Sequence, residues 1–377
     1  MKKRSDILLS VICLVLSAVF GVITLAKPQV RFSERENRVM ASFPRISLRS
    51  VMSGEFSRGL GDFFEDQFLF RADLTRFHAL SELSMGRREN NGVIYGKNGY
   101  LILKPEYDDL SLFRENIAAI DSFCSKMSDR GIETAVFFAP RGIDVLSDYL
   151  PDGYPHEREK DVWNIAESAL PYMLSANREI EEAIGEGKYL WYKTDHHWTP
   201  LGAYECYEKV VTKFDKNVFD ISHFEIENIC DEFYGSIDSR SESLSGISDK
   251  LFLLRCEGDE DKLVVNYDIK ESSKSMYFKE YLSAKDKYKV FMGGNFGHLG
   301  VYSKSGEERE TLLVIKDSFA NSAIPFFAID YELEVYDLRY FEGKISDEID
   351  KISPDKILIL YGIDTAVSDG SLKLLGR

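Results

Sequence analysis

The sequence predicts an α/β fold: a parallel sheet flanked by helices, with an antiparallel or irregular insertion and one N-terminal transmembrane helix. Three observations lead there. Short continuous apolar runs, such as residues 132–139 (IETAVFFA), 311–315 (TLLVI) and 356–362 (KILILYG), suit strands buried on both faces. Helix-length segments alternate with these runs, which is the pattern of a parallel sheet covered by helices. Residues 7–26 carry no charge, and as a helix they would extend roughly 30 Å, enough to span a bilayer.

The elements follow in chain order. Lys2, Lys3 and Arg4 precede the apolar stretch, an arrangement that holds the N-terminus in the cytoplasm and places everything after about residue 30 outside. Residues 1–30 therefore read as a membrane anchor, or as a signal whose removal would leave the rest secreted. Residues 31–90 form a tether and helical lead-in. Phe56, Phe63, Phe64, Phe68 and Phe70 fall there among apolar residues three and four apart. Residues 91–377 form the main domain. Its first segment, NGVIYGKNGYLIL, reads as strand, Gly/Asn turn and strand. A helix is expected from Leu110 to Ser128, with Gly131 just past its end. The strand 132–139 comes next, then a helix from roughly Glu157 to Glu186 and a strand over Tyr189–Lys193. Thr199-Pro200 has the chemistry of a cap followed by a first-turn proline, so a helix burying Tyr204, Tyr207, Val210, Val211 and Phe214 should begin there. Residues 216–310 mix strand-like runs with acidic and Ser-rich loops, which marks the insertion. The strand 311–315 leads to a helix from about Phe319, and ELEVYDL and KILILYG are two more strands with a helix between them.

Charge narrows the function. The chain has 47 basic and 63 acidic residues, a net −16; residues 31–377 hold 43 and 62, a net −19. A nucleic-acid binder needs a basic face, and a body lying on anionic lipid needs one too. Both classes are excluded, as is global disorder at 44% hydrophobic and 13% aromatic content. Of the five cysteines, Cys13 lies in the apolar stretch. Cys124, Cys206, Cys230 and Cys256 fit either two disulfides or free thiols.

Two spots carry the residue types of chemistry. The first, Lys193–Pro200 (KTDHHWTP), holds two of the six histidines. In an extended segment, residues two apart share a face, so Asp195 would lie beside His197 while His196 points away. A carboxylate against an imidazole fixes its tautomer and supports it as a base. The second spot, Lys316–Phe319, places Ser318 between a strand and a helix, at the carboxyl edge of the sheet where sites form. Helix amides there can stabilise an oxyanion. The plain alternatives are a helix cap for Ser318 and a structural pair for Asp195 and His197. Metal ligation by Asp195, His196 and His197 is disfavoured, because no HxH or HExxH spacing is present. No GxxxxGK[ST] or GxGxxG occurs, so no nucleotide cofactor is expected, nor any other.

TDHHWTPLGAY resembles the signature of the DHHW protein family, which is similar to the alginate O-acetyltransferases of the AlgJ/AlgX type with their SGNH-hydrolase-like domain. Looser resemblances keep the family's order: ENRVMASFP, NGVIYGKNGYLI, FFAPRGIDVLSDYLP and VIKDSFANSAIPFF. The resemblance implies an SGNH-like catalytic domain over 91–377, an Asp195–His197 dyad and a Ser318 nucleophile. It departs from the pattern at Lys316, where the family's serine block has glycine, and no GxND block is evident. Asn295 and the backbone after Tyr361 are then the candidate oxyanion donors. Arg141, Arg339 and Tyr340, each past a strand, are candidates for holding the acyl group or a sugar. The implied activity is O-acetylation of a surface or secreted polysaccharide outside the cytoplasm, with a membrane-bound O-acyltransferase as acetyl supplier. An acetylesterase and a non-catalytic polysaccharide-binding assembly protein are the alternatives.

Overall fold

The computed structural model describes residues 2–33, 38–107, 109–155, 159–242, 246–306 and 308–376. The chain divides into two compact units, Met1–Asn90 with Ser239–Leu244, and Asn91–Asp238 with Ser245–Arg377.

In the first unit Lys2–Ala26 is a single helix, and Glu55–Gln67 and Arg71–Ser84 are two more. Phe43 packs edge-on against Phe56 and Phe63. The buried Gln67 carboxamide donates to the carbonyls of Val30 at 2.8 Å and Ala41 at 3.1 Å, and accepts from Val30 N at 3.1 Å. Among the described residues no helix is long and apolar enough to cross a membrane. The transmembrane expectation for residues 7–26 thus meets a helix but no demonstrated span, and the side chains of residues 2–9 lie outside the description. Glu36 and Asn37 of the ENRVMASFP motif also lie outside it.

The second unit is built on a seven-stranded sheet. Its strands are β1 (Glu133–Ala139), β2 (Lys262–Asn266), β3 (Glu271–Ser273), β4 (His298–Ser303), β5 (Thr311–Lys316), β6 (Glu332–Tyr336) and β7 (Lys356–Gly362). The order is β3-β2-β4-β6-β5-β7-β1. β6, β5, β7 and β1 are mutually parallel, and β4, β2 and β3 extend the sheet antiparallel. Part of the expected insertion therefore widens the main sheet. The remainder includes an antiparallel pair, Glu225–Phe233 with Asp249–Arg255.

The continuous apolar runs have a direct cause. Side chains alternate across a strand, and in β5 Leu312 and Val314 enter one core while Leu313 and Ile315 enter the other. Helix Pro200–Lys213 contributes Tyr207, Val210 and Val211 to the first core, and helix Ser111–Asp129 contributes Phe113, Ile117 and Ile120 to the second. Each such side chain, fully buried, contributes about 1.5–3 kcal/mol.

Three sequence expectations give way. The helix expected from Glu157 to Glu186 is two, Glu159–Ala169 and Asn177–Gly185, because Pro171 cannot sit in a helix interior; Glu157 itself lies outside the described residues. The helix expected from Phe319 is a 3₁₀ turn over Ser318–Ser322, and α-helix begins only at Ile324. The strand expected over Tyr189–Lys193 is reduced to one bridge, Trp191 to Trp198.

Candidate active site

Residues 192–197 form a tight loop closed by that bridge, with Thr199 N donating to the Leu190 carbonyl at 2.9 Å. The helix after it seats closely because residue 202 is glycine: a Cβ there would lie 2.5 Å from the Leu190 oxygen and 2.8 Å from Trp198 Cβ. The buried Asp249 carboxylate holds the loop from behind, accepting from Lys193 N at 2.8 Å, Thr194 N at 2.7 Å, and the hydroxyls of Thr194 and Tyr189. Burial pushes the Asp249 carboxyl up in pKa against the pull of these donors.

The loop aims its side chains at Ser318. His197 Nε2 lies 2.9 Å from Ser318 Oγ, and His197 Nδ1 lies 2.6 Å from Asp195 Oδ1. Asp195 Oδ1 also accepts from His197 N at 3.1 Å, and Oδ2 accepts from Ser236 N at 2.7 Å. Asp195 and His197 are buried, while Ser318 is half-buried at the carboxyl end of β5. Burial alone would raise the Asp195 carboxyl, yet the His196 and His197 rings and the donors on it hold it far below the carboxylate range. The tautomer this implies, with Nδ1 protonated toward Asp195, leaves Nε2 to accept the Ser318 proton.

His196 departs from the alternation argument. It does not point away: its ring centroid is 3.8 Å from that of His197, and its Nδ1 bonds Ser236 Oγ at 2.6 Å. The loop is bent, so residues two apart have no face in common by rule. Burial, then the neighbouring His197, lowers the His196 pKa. Asp195, His196 and His197 each present a ligand atom within 4.8 Å of the others. Both His197 nitrogens are already committed, so an ion there would take the partner from Asp195 or Ser318.

Ser318 is held by its neighbours. Buried Asp317 accepts from Phe319 N at 2.9 Å and Gly362 N at 2.8 Å, which locks the turn to the end of β7. The backbone donor expected after Tyr361 is therefore taken by Asp317. Trp198 Nε1 donates to the Phe319 carbonyl at 3.1 Å and Ser322 Oγ at 3.0 Å, so the loop's tryptophan braces the serine turn.

Around this centre the other sequence candidates are placed differently. Arg141 stands at the end of β1 but is buried; its guanidinium forks onto Asp144 at 2.9 and 2.7 Å and donates to Tyr107 Oη at 2.9 Å. It is a wall of the site, not an arm reaching for substrate. Arg339 forks onto Asp337 at 2.8 and 2.6 Å and lies over the exposed Tyr340 ring. Lys316 is buried and donates to Asn295 Oδ1 at 3.0 Å and Asn321 Oδ1 at 2.8 Å. Because an ammonium only donates, the Asn295 oxygen must face Lys316, and it also accepts from Asn321 Nδ2 at 3.1 Å. No contact joins Asn295 to Ser318 among the described residues.

Sequence reasoning missed Tyr288, Ser236 and Asp249. Tyr288 stacks on the His197 ring at 3.9 Å with 5° between planes, and its hydroxyl bonds Ser322 Oγ at 3.1 Å. All three come from the insertion, and no local spacing signals which of its residues return to the loop.

Residues 179–338 match the DHHW protein family. That span holds Asp195, His197 and Ser318. Residues 93–226 also match the SGNH hydrolase-like domain of acetyltransferase AlgX. Among solved structures, a DHHW family protein from Eubacterium siraeum shares 20% identity over 77% of this chain and 96% of its own, with a TM-score of 0.62. Bacillus cereus PatB1, carrying a sulfonyl adduct, shares 16% over 74% and 98%, also at 0.62. At such identities these likenesses show the fold. A protein of Pseudomonas putida named "Probable alginate O-acetylase AlgJ" is 23% identical over 172 residues. That match spans 44% of this chain and 44% of the relative's length.

Proposed function

We propose that this chain is an extracytoplasmic O-acetyltransferase acting on polysaccharide hydroxyls through an acyl-enzyme on Ser318. The observation that carries the reading is the continuous chain from Asp195 through His197 to Ser318, with bonds of 2.6 and 2.9 Å, at the carboxyl end of a parallel strand. It is supported by the resemblance of this span to the DHHW family and by the relatives named as alginate O-acetylases.

In the first half-reaction Ser318 Oγ bonds the acetyl carbonyl carbon while its proton passes to His197 Nε2. The donor's bond to that carbon breaks, and the leaving group takes the proton from His197. In the second, a sugar hydroxyl gives its proton to His197 and attacks the same carbon; Ser318 Oγ leaves and regains a proton. Asp195 keeps the imidazolium oriented throughout, and the Tyr288 face lies against that ring. Water in place of the sugar would make the same centre an esterase.

The reading includes a membrane anchor. It rests on the uncharged residues 7–26 behind three basic ones and on the exposure of Val11, Leu14, Val15 and Leu16 along that helix. A membrane-bound O-acyltransferase would supply acetyl groups across the bilayer, since acetyl-CoA is cytoplasmic.

Incubation with a serine-directed alkyl fluorophosphonate, followed by peptide mass spectrometry, tests the mechanism. Labelling at Ser318 that disappears in Ser318→Ala and falls at least ~10³-fold in rate in His197→Gln is expected. An unlabelled Ser318 in the wild-type chain would leave the binding-module reading standing.

A further inference from the structure

We infer that a small cavity walled by Phe319 and His196, the chain neighbours of Ser318 and His197, is an acyl pocket sized for acetyl and closed to longer chains; this rests on the acyl-enzyme reading above. The cavity measures about 50 Å³ and is lined by Pro140, Arg141 and Gly142, by Ile363, Asp364 and Thr365, and by Leu103, Trp191, His196, Ile237 and Phe319.

Three features assign it. The first is position. Pro140–Gly142 follows β1, Ile363–Thr365 follows β7 and Phe319 follows Ser318 past β5, so the wall comes from the carboxyl ends of three adjacent parallel strands. Ligands of open α/β sheets bind in that place. Both Phe319 and His196 are chain neighbours of the reacting pair, and the Phe319 ring is 4.9 Å from that of His197.

The second is an unmet hydrogen-bond donor. Trp191 is fully buried, and its indole Nε1–H has no acceptor among the described residues. A buried donor without a partner costs about 1–3 kcal/mol, so such groups are normally met by water or ligand. The Nε1 atom lies 3.3 Å from where a Cβ on Gly142 would sit, which puts it at the cavity wall. An ester or acetyl oxygen entering the cavity would satisfy it.

The third is size. At roughly 10–15 Å³ of such volume per water-sized group, the cavity admits about three to five groups. Acetyl brings a carbon, an oxygen and a methyl. Arg141 cannot swing aside to lengthen the pocket, because its guanidinium is fixed on Asp144 and Tyr107. Glycine at 142 keeps the wall open, since a methyl there would point at Trp191 Nε1 and, at 3.6 Å, Leu146 Cδ1.

The test uses the full chain and the 4-nitrophenyl esters of acetate, propionate and butyrate. The wild type should favour acetate over butyrate by on the order of 10²-fold in kcat/KM, as one or two misfitting methylenes allow. Leu103→Ala, which removes part of a half-buried wall, should raise the butyrate-to-acetate ratio at least ~10-fold. Gly142→Ala should move the ratio the other way. A ratio unchanged in both variants overturns the pocket while leaving the acyl-enzyme reading intact. No turnover of any ester, together with an unlabelled Ser318, overturns that reading and the pocket with it. If Gly142→Ala does not fold, the Leu103→Ala ratio alone decides.

Discussion

Gly235 sits where any side chain would strike the Asp195 carboxylate. A Cβ on it would lie 2.4 Å from Asp195 Cβ, 2.5 Å from Oδ2 and 2.7 Å from Cα. Ordinary carbon contacts are about 3.5–4.0 Å, so Gly235→Ala demands a relative shift of about 1 Å. Three bonds share that space: His197 Nδ1 to Asp195 at 2.6 Å, Ser236 N to Asp195 at 2.7 Å and Gly235 N to Thr194 Oγ1 at 3.0 Å. None survives a 1 Å displacement within the ordinary range of hydrogen-bond lengths. A misplacement of that size costs on the order of 10²-fold in rate, and two stranded buried donors cost about 2–6 kcal/mol in stability. Ester hydrolysis gives kcat, and urea unfolding gives stability. The expected result is a kcat loss of about 10²-fold with KM little changed, measured at a denaturant-free concentration where the variant is folded. Asp195→Asn, which leaves the backbone alone, should reproduce the kcat loss. A folded Gly235→Ala enzyme with wild-type kcat would refute the account of how Asp195 is held.

Two further predictions follow. Burial, opposed by Asp337, lowers the Lys316 pKa to about 8, below its ordinary value in an unfolded chain. The unfolded state then holds more protons between about pH 8 and 10.5, so stability rises with pH across that window, by about 3 kcal/mol in total. Lys316→Met should flatten this rise in urea midpoints; an unchanged slope would show that Lys316 is not the group responsible. Acceptor choice follows from charge. Three cations near the site do not offer a free patch to an anionic acceptor: Lys316 and Arg141 are buried, and Arg141 and Arg339 are tied to aspartates. Neutral oligosaccharides should therefore outcompete uronate ones as acetyl acceptors, most of all at low salt, where screening is weak. Faster transfer to uronates at low salt would contradict this.

What the sequence made legible follows from the range of the forces involved. The strands β1, β5 and β7 were readable because burial on both faces leaves an uninterrupted apolar run. Ser318 stood out as a chemistry-bearing type just past β5, and Asp195 and His197 by their spacing of two in a histidine-rich segment. His196 was misplaced because a loop closed by a single bridge has no period. Ser236, Asp249 and Tyr288 could not be found, since each acts on the 193–199 loop across 40 or more positions of the chain. The conversion of Arg141 from a binding group to a wall was equally hidden, as it depends on Tyr107, 34 residues away.

Ser318 and His197 are 121 residues apart in the chain, and β5 joins the sheet between β6 and β7, both of which come later in sequence. During synthesis the loop 193–199 emerges first, with no Ser318 to meet. Ser318 gains its imidazole only when the C-terminal strands have closed the sheet, a long-range event of the kind that is slow in folding. The Ser318–His197 pair is thereby absent from every incomplete chain. The onset of labelling at Ser318 in a refolding experiment would serve as a clock for the last step of assembly.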